Sequence, residues 1–380
     1  MPDIGLSLSV TSSLLGESSY SKSVQWTSYS HKISATAGFD SANFAQDNIG
    51  NDEARFWLSS GLGVNVIAKE SGQIAWQGFV NQVDLSIGNI SLSIGPLVDI
   101  ANKVAVAYQQ TEQDPLGIGY GGENTLTAWA EDTASQSIYG IFETILSGGQ
   151  GQAGPQEAAR DTYLAEFAYP RVSRTISIGE DLSVKVSCLG YYHILEQFIF
   201  IDNSNPADYV NASTKIASVM AAEPNGFFSN TSRISTNTLQ VAAKTDDSRT
   251  GLSTIKDIVA LGDSSGNRWL FGVYEDLTPV YEAVPSVAEY VFNAMSILAR
   301  MKSHTGGHEI PSSLIRPGKW VQITGLLLDS IDIEKVSNRV NPGYEFLEDI
   351  NYTAPNSFST SSGTVNTFAQ LLAQQGLRSR

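Results

Sequence analysis

The sequence predicts an α+β fold that is mainly β, and three observations carry this. Apolar residues alternate with polar ones over short runs, as at Leu6, Leu8 and Val10 and again at Val83, Leu85 and Ile87. That is the period of a strand with one buried face. Gly, Asn and Pro punctuate these runs at short intervals, where turns need them. Charged residues make up only 16% of the chain, well under the usual quarter. Polarity falls instead to Ser, Thr, Asn, Gln and Gly, the composition of a turn-rich β surface.

In chain order, Val24, Trp26, Tyr29 and Ile33 extend the alternation of the first 40 residues into two or three strands. Residues 51–60 read as a short helix with Asp52 near its start, stopped by Gly61 and Gly63. A strand opens at Val64, Val66 and Ala68, and Gly72 turns it back into Ile74-Ala-Trp76. Apolar residues at 83, 85 and 87 and at 90, 92 and 94 flank Gly88-Asn89. Gly and Asn tolerate the positive φ of two-residue hairpin turns, so 83–94 is predicted to be a hairpin. Val104–Tyr108 is a further strand, and 109–123 reads as a polar, Gly-rich loop.

Helices are then predicted at about 125–147 (Leu126, Trp129, Ile138, Ile141, Phe142, Ile145) and about 155–168, entered at Pro155. A Gly-rich linker at 148–154 lies between them. Strands return at Arg174–Ile178 and Leu182–Leu189. Helices follow at about 208–222 and 250–261, then strands at Trp269–Tyr274, Val280–Ala283, Glu289–Phe292 and Trp320–Ile323, with a short helix at about 364–375. The expected units are residues 1–195 with a helical insertion at about 124–168, residues 196–350, and a polar C-terminal arm at 351–380 that reaches a neighbouring subunit. The two halves rhyme: Ile74-Ala-Trp76-Gln-Gly-Phe-Val80 and Asn267-Arg-Trp269-Leu-Phe-Gly-Val273 each open a strand–turn–strand run.

Length and charge narrow the function. A chain of 380 residues is long enough for two or three domains and a sizeable core. Asp and Glu (39) outnumber Lys and Arg (23), giving a net charge of −16. Phosphate binding calls for a basic patch, so grip on external nucleic acid is not expected. An acidic surface is compatible with a channel through which DNA passes without sticking. The single cysteine, Cys188, excludes an intrachain disulfide framework and reads as a small buried strand residue. Met1-Pro-Asp-Ile-Gly has no basic region followed by an apolar run, and no apolar stretch reaches 18 residues. Neither a secretory signal nor a membrane span is expected, and synthesis and assembly in the cytosol are.

No cluster predicts chemistry. His304-Thr-Gly-Gly-His308 has the spacing of a helical zinc pair, but its glycines oppose a helix and no Glu follows the first His. Gly117-Ile-Gly-Tyr-Gly-Gly122 lacks the preceding strand and the acidic residue of a dinucleotide site. Glu131-Asp132, Glu180-Asp181 and Asp246-Asp247 read as solvated turns, although paired carboxylates across a cleft would suit a glycosidase. No nucleophile elbow is expected, and none of His31, His193, His304 and His308 has a catalytic neighbourhood. No catalytic, cofactor-binding or metal-ligating residue is therefore expected. A structural, non-enzymatic assembly protein leads, because a large uncharged surface suits burial between subunits. A glycosidase or cell-wall hydrolase, and a carbohydrate-binding module using its Trp and Tyr residues, are the competitors.

Several runs resemble tail-tip or baseplate hub proteins of tailed bacteriophages. They are Ala75-Trp-Gln-Gly-Phe-Val-Asn81, Leu92-Ser-Ile-Gly-Pro-Leu-Val-Asp-Ile-Ala-Asn-Lys-Val-Ala-Val-Ala-Tyr108, Leu182-Ser-Val-Lys-Val-Ser-Cys-Leu-Gly-Tyr191, Thr254–Asp276 and Ile315-Arg-Pro-Gly-Lys-Trp320. The resemblance is one of pattern and spans about residues 70–320. It implies two β-barrel-like domains decorated with short helices. It also implies a closed ring around the tail channel, a trimer that joins the tail tube to the distal tip, with a hexameric distal-tail arrangement as the alternative. The partners it implies are the distal tail protein, the tail tube, the tape-measure protein and a tip or spike. Location in the virion follows, with DNA met only in passage. It brings no catalytic residues and no cofactor.

Overall fold

The computed structural model describes residues 6–12, 21–113, 119–202, 209–242, 249–293, 314–324, 344–354 and 357–361. Strands β1 (Leu6–Thr11), β2 (Ser21–Val24), β3 (Ser28–Ser34) and β4 (Gly38–Asp47) come first. They are followed by helix α1 (Asn51–Ser60) and strands β5 (Asn65–Glu70) and β6 (Gln73–Ile94). A small sheet holds β7 (Lys103–Gln113), β8 (Gly119–Leu126), β9 (Ala130–Glu131) and β10 (Glu143–Gly151), with helices α2 (Thr133–Tyr139) and α3 (Ala153–Phe167). Then come β11 (Val172–Leu189), β12 (Tyr209–Asn211), α4 (Ala212–Ala222), β13 (Gln240–Ala242) and α5 (Gly251–Leu261). The last elements are β14 (Trp269–Val273), β15 (Pro279–Ala283), β16 (Ala288–Asn293), β17 (Trp320–Thr324), β18 (Tyr344–Phe346), β19 (Asp349–Ala354) and β20 (Ser357–Ser361). The fold is mainly β with a few short helices, as the sequence predicts.

The main sheet runs β2-β1-β5-β6-β11-β4-β3-β19-β20, with β14 joined to β4 and β15 to β14. Its centre is buried on both faces, because consecutive residues Ala75 to Val80 are all buried. Trp76 and Val80 join one core with Trp57 of α1, Val66, Val83, Leu85, Val184, Val186 and Tyr352. Phe79 joins a second core with Tyr191, Leu195, Phe198, Ile216 and Val219 of α4, Ile255 and Ile258 of α5, and Phe271. This second core takes residues from both sides of position 195/196, so the apolar packing does not divide at the expected boundary. The two Trp strands that rhyme in sequence, β6 and β14, lie in the same sheet.

β14 crosses β4 with little space between them. A Cβ on Gly272 would lie 2.6 Å from the Gly38 nitrogen, and one on Gly38 would lie 2.2 Å from the Val273 oxygen. Only glycine fits at this crossing. Helix α5 begins where Thr250 Oγ1 accepts from the Ser253 amide at 3.1 Å and ends at Gly262, φ +71. Thr is a favoured N-cap residue, and glycine readily takes the positive φ that stops the helix.

The helices predicted near 51–60, 155–168, 208–222 and 250–261 are present as α1, α3, α4 and α5. The helix predicted over 125–147 is not. Only Thr133–Tyr139 is helical there. Gly140 at φ +91 ends α2, and Glu143–Ser147 pair in parallel with Lys103–Ala107. The apolar residues at 138, 141, 142 and 145 imitate a helical stripe but divide between a short helix and a strand. Asn102 fixes the break, because its buried amide donates to the Gly140 carbonyl at 2.7 Å and accepts from the Phe142 amide at 2.8 Å. The expected linker at 148–154 is the end of β10 and the start of α3. The expected loop at 109–123 is largely the paired ends of β7 and β8. The arm expected from 351 starts inside the main sheet, where β19 pairs with β3 and Tyr352 is buried. Tyr352 is the reason: its aromatic ring fits the core, whereas its neighbours look polar in sequence. The helix predicted near 364–375 lies outside the described residues.

Candidate interaction surface

The residues singled out by sequence do not converge. Cys188 is buried in β11, and burial raises its thiol pKa well above the usual range. His31 is buried in β3, while His193 Nε2 lies 2.9 Å from Asp40 Oδ1. Glu131 lies 3.6 Å from Lys103, and Asp132 caps α2 by accepting from the Ser135 amide at 2.9 Å. Glu180 and Asp181 belong to β11. Asp246, Asp247, His304, His308, Gly117 and Ile118 lie outside the described residues, whereas Gly119 to Gly122 belong to β8. Among the described residues no group of three or more His, Cys, Asp and Glu is placed to hold a metal ion.

One motif escapes the sequence reading and corrects it: Gly262-Asp-Ser264-Ser-Gly266 has the spacing of a nucleophile elbow. An elbow needs a strand before it and a helix after it. Here α5 precedes and β14 follows, and Ser264 is exposed. Asp263 shapes the turn, accepting from the Ser265 and Asn267 amides at 2.9 Å each and from Trp269 Nε1 at 3.1 Å. The motif is a helix-to-strand turn.

What the fold does present is an amphipathic β-ribbon. β6 folds back on itself at Gly88-Asn89, as the sequence predicts. Ser86 Oγ lies 3.5 Å from Ser91 Oγ, and Ser93 Oγ donates to Asp84 Oδ1 at 2.5 Å. These pairs fix a two-residue loop. Gly88 alone of the two has positive φ, +56, the pattern of a type II′ turn with Gly first. β11 flanks this hairpin on both edges: Val172–Ile176 pair with Ile90–Ile94, and Ser183–Ser187 pair with Gln82–Ser86.

This register sorts the side chains by face. One face carries Val83, Leu85 and Ile87, then Ile90, Leu92 and Ile94, then Val172, Arg174 and Ile176. The other carries Gln82, Asp84, Ser86, Ser91, Ser93, Ser173 and Thr175. The polar face is internally bonded, since Gln82 Nε2 also donates to Asp84 Oδ1 at 3.0 Å and to Ser93 Oγ at 3.1 Å. Among the described residues the aliphatic face is buried at its base, where Val83 and Leu85 join the core beneath α1, and Ile90, Leu92 and Ile94 are half-buried. Further out it is open, with Ile87, Val172 and Ile176 at 40%, 66% and 79% exposure. Val172–Ile176 has no partner on its outer edge among the described residues. A free strand edge beside an open aliphatic face is a template for another chain. Sequence shows the alternation that makes the ribbon. It does not show that the core stops halfway along it, because that depends on where α1 packs.

No family model matches the chain, and no curated protein matches it. Several solved structures match, two of them as follows. One is the tail protein from Neisseria meningitidis MC58, at 9% identity, 94% of this chain, 95% of that chain and a TM-score of 0.44. The other is the 43 kDa tail protein of prophage MuSo2 from Shewanella oneidensis, at 8% identity, 96% of this chain, 97% of that chain and a TM-score of 0.45. Both are tail proteins. Among the described residues no helix is long and apolar enough to cross a membrane.

Proposed function

We propose that this chain is a structural, non-enzymatic subunit of a bacteriophage tail tip or baseplate. In this reading it forms a closed hub ring, a trimer, that joins the tail tube to the distal tip and surrounds the DNA channel. Its partners are then the distal tail protein, the tube, the tape-measure protein and a tip or spike, and its place is the virion. The runs between residues 70 and 320 that resemble hub proteins support this reading.

The single observation that carries it is the ribbon. A protein that works alone has little reason to hold an aliphatic face and a free strand edge open to water. A ring subunit has both surfaces covered by its neighbour. The net charge of −16 also suits a channel that does not hold DNA by its phosphates. Mass measurement and negative-stain imaging of the purified full chain test the reading. Rings of uniform size are expected, and a stable monomer contradicts it. A ring of six in place of three would favour the distal-tail arrangement.

A further inference from the structure

The outer strand of the ribbon, Val172–Ile176, points to how such copies meet. Arg174 lies between Val172 and Ile176 on the aliphatic face and is exposed. It makes no ion pair among the described residues. We propose that this edge docks head-to-tail on an acidic surface of a second copy, with Arg174 as its ionic anchor. The proposal rests on the ring reading above and names the contact that closes the ring.

Charge decides the occupant. An apolar partner alone would strip water from the Arg174 guanidinium without replacing its hydrogen bonds, which is costly. The surface that covers this strand must bring a carboxylate into the aliphatic patch. A second copy is a dense source, with 39 acidic residues against 23 basic ones. Asp52, Glu123 and Glu157 are exposed and make no ion pair among the described residues.

Symmetry decides the geometry. Two copies of Val172–Ile176 paired about a twofold axis have no good register. Centred on Arg174, the pairing sets two guanidinium groups opposite each other, which is destabilising. Centred on Ser173 or Thr175, it sets Arg174 against Val172 or Ile176 and leaves the charge unpaired. Centred between residues, it puts the aliphatic face of one strand beside the polar face of the other. A head-to-tail contact avoids all three, and contacts of that kind close into rings.

The test uses the full chain and its variants Arg174→Glu and Ile176→Asp, with circular dichroism to verify that each keeps the wild-type fold. Native mass spectrometry across a protein dilution series reads the assembly. The wild-type oligomer is expected to weaken at high salt. Arg174→Glu is expected to raise the concentration at which it dissociates by about tenfold or more, and Arg174→Lys to retain most of the assembly. The native cysteine is buried, so Ile176→Cys reports cleanly on contacts at position 176. Head-to-tail packing predicts no disulfide between two copies at that position. A wild-type oligomer whose dissociation is unchanged by Arg174→Glu, or one in which Ile176→Cys joins itself quantitatively, overturns the proposal and leaves the ring reading standing. A monomeric wild type overturns both.

Discussion

His31 is a polar residue buried in the main sheet. It is 3% exposed, its Nδ1 lies 3.0 Å from Tyr29 Oη, and its ring stacks on Tyr352 of β19 with centroids 5.0 Å apart. Its Nε2 has no hydrogen-bond partner among the described residues. Burial, helped by the nearby positive charge of Arg316, lowers its pKa from 6.5 to about 3. The unfolded chain therefore takes up the proton first as pH falls. Stability is full above about pH 6.5, declines towards about pH 3 and levels off below, with a total loss of the order of 4 kcal/mol. His31→Phe should remove most of that slope between pH 6.5 and 4 in urea unfolding, and an unchanged slope would assign it to other groups. The ion pair of Lys215 and Asp202, 2.6 Å apart and 4% and 6% exposed, makes a second residue-scale prediction. Lys215→Met should destabilise the fold in urea unfolding by removing the ammonium that bonds the buried Asp202 carboxylate, and adding Asp202→Leu should recover part of the loss. Sequence shows none of this. His31 and Lys215 look like ordinary polar positions on a strand and a helix, and only their depth in the fold gives them their energetics.

At the scale of elements, local chemistry was legible where the turn or cap is encoded in adjacent residues. Gly88-Asn89 gives its hairpin, and Gly262 closes α5. It was not legible where a distant strand competes for the same apolar residues, as at 141–145, which pair with β7 instead of continuing α2. The ribbon turn is testable: a Cβ on Gly88 would meet nothing within 4 Å, so Gly88→Ala measures backbone strain alone. A loss of about 1 kcal/mol is expected. Gly272→Ala should cost more, roughly 1–3 kcal/mol, because its Cβ meets the backbone of β4. The segment Leu314–Thr324 is held by Arg316, which donates to the Ile74 carbonyl at 2.8 Å and to the Ala75 carbonyl at 3.2 Å and lies 4.9 Å from the Phe39 ring centroid. Arg316→Ala should speed hydrogen exchange in β17 by about tenfold or more, a loss of roughly 2 kcal/mol of local stability. Unchanged exchange would mean that β16 and β18 hold β17 without it.

At the scale of the whole molecule, two cores enclose the centre of one large sheet, while the ribbon leaves that sheet with exposed aliphatic side chains and an edge that has no partner among the described residues. This ribbon is the feature behind the proposed reading, a protein that acts through the surfaces it shares. The most direct measurement of that claim is the mass of the full-length chain in solution at neutral pH, read by light scattering across a dilution series. A closed oligomer of three copies is predicted, persisting on dilution until the ribbon contact gives way. A monomer at every concentration would contradict the account.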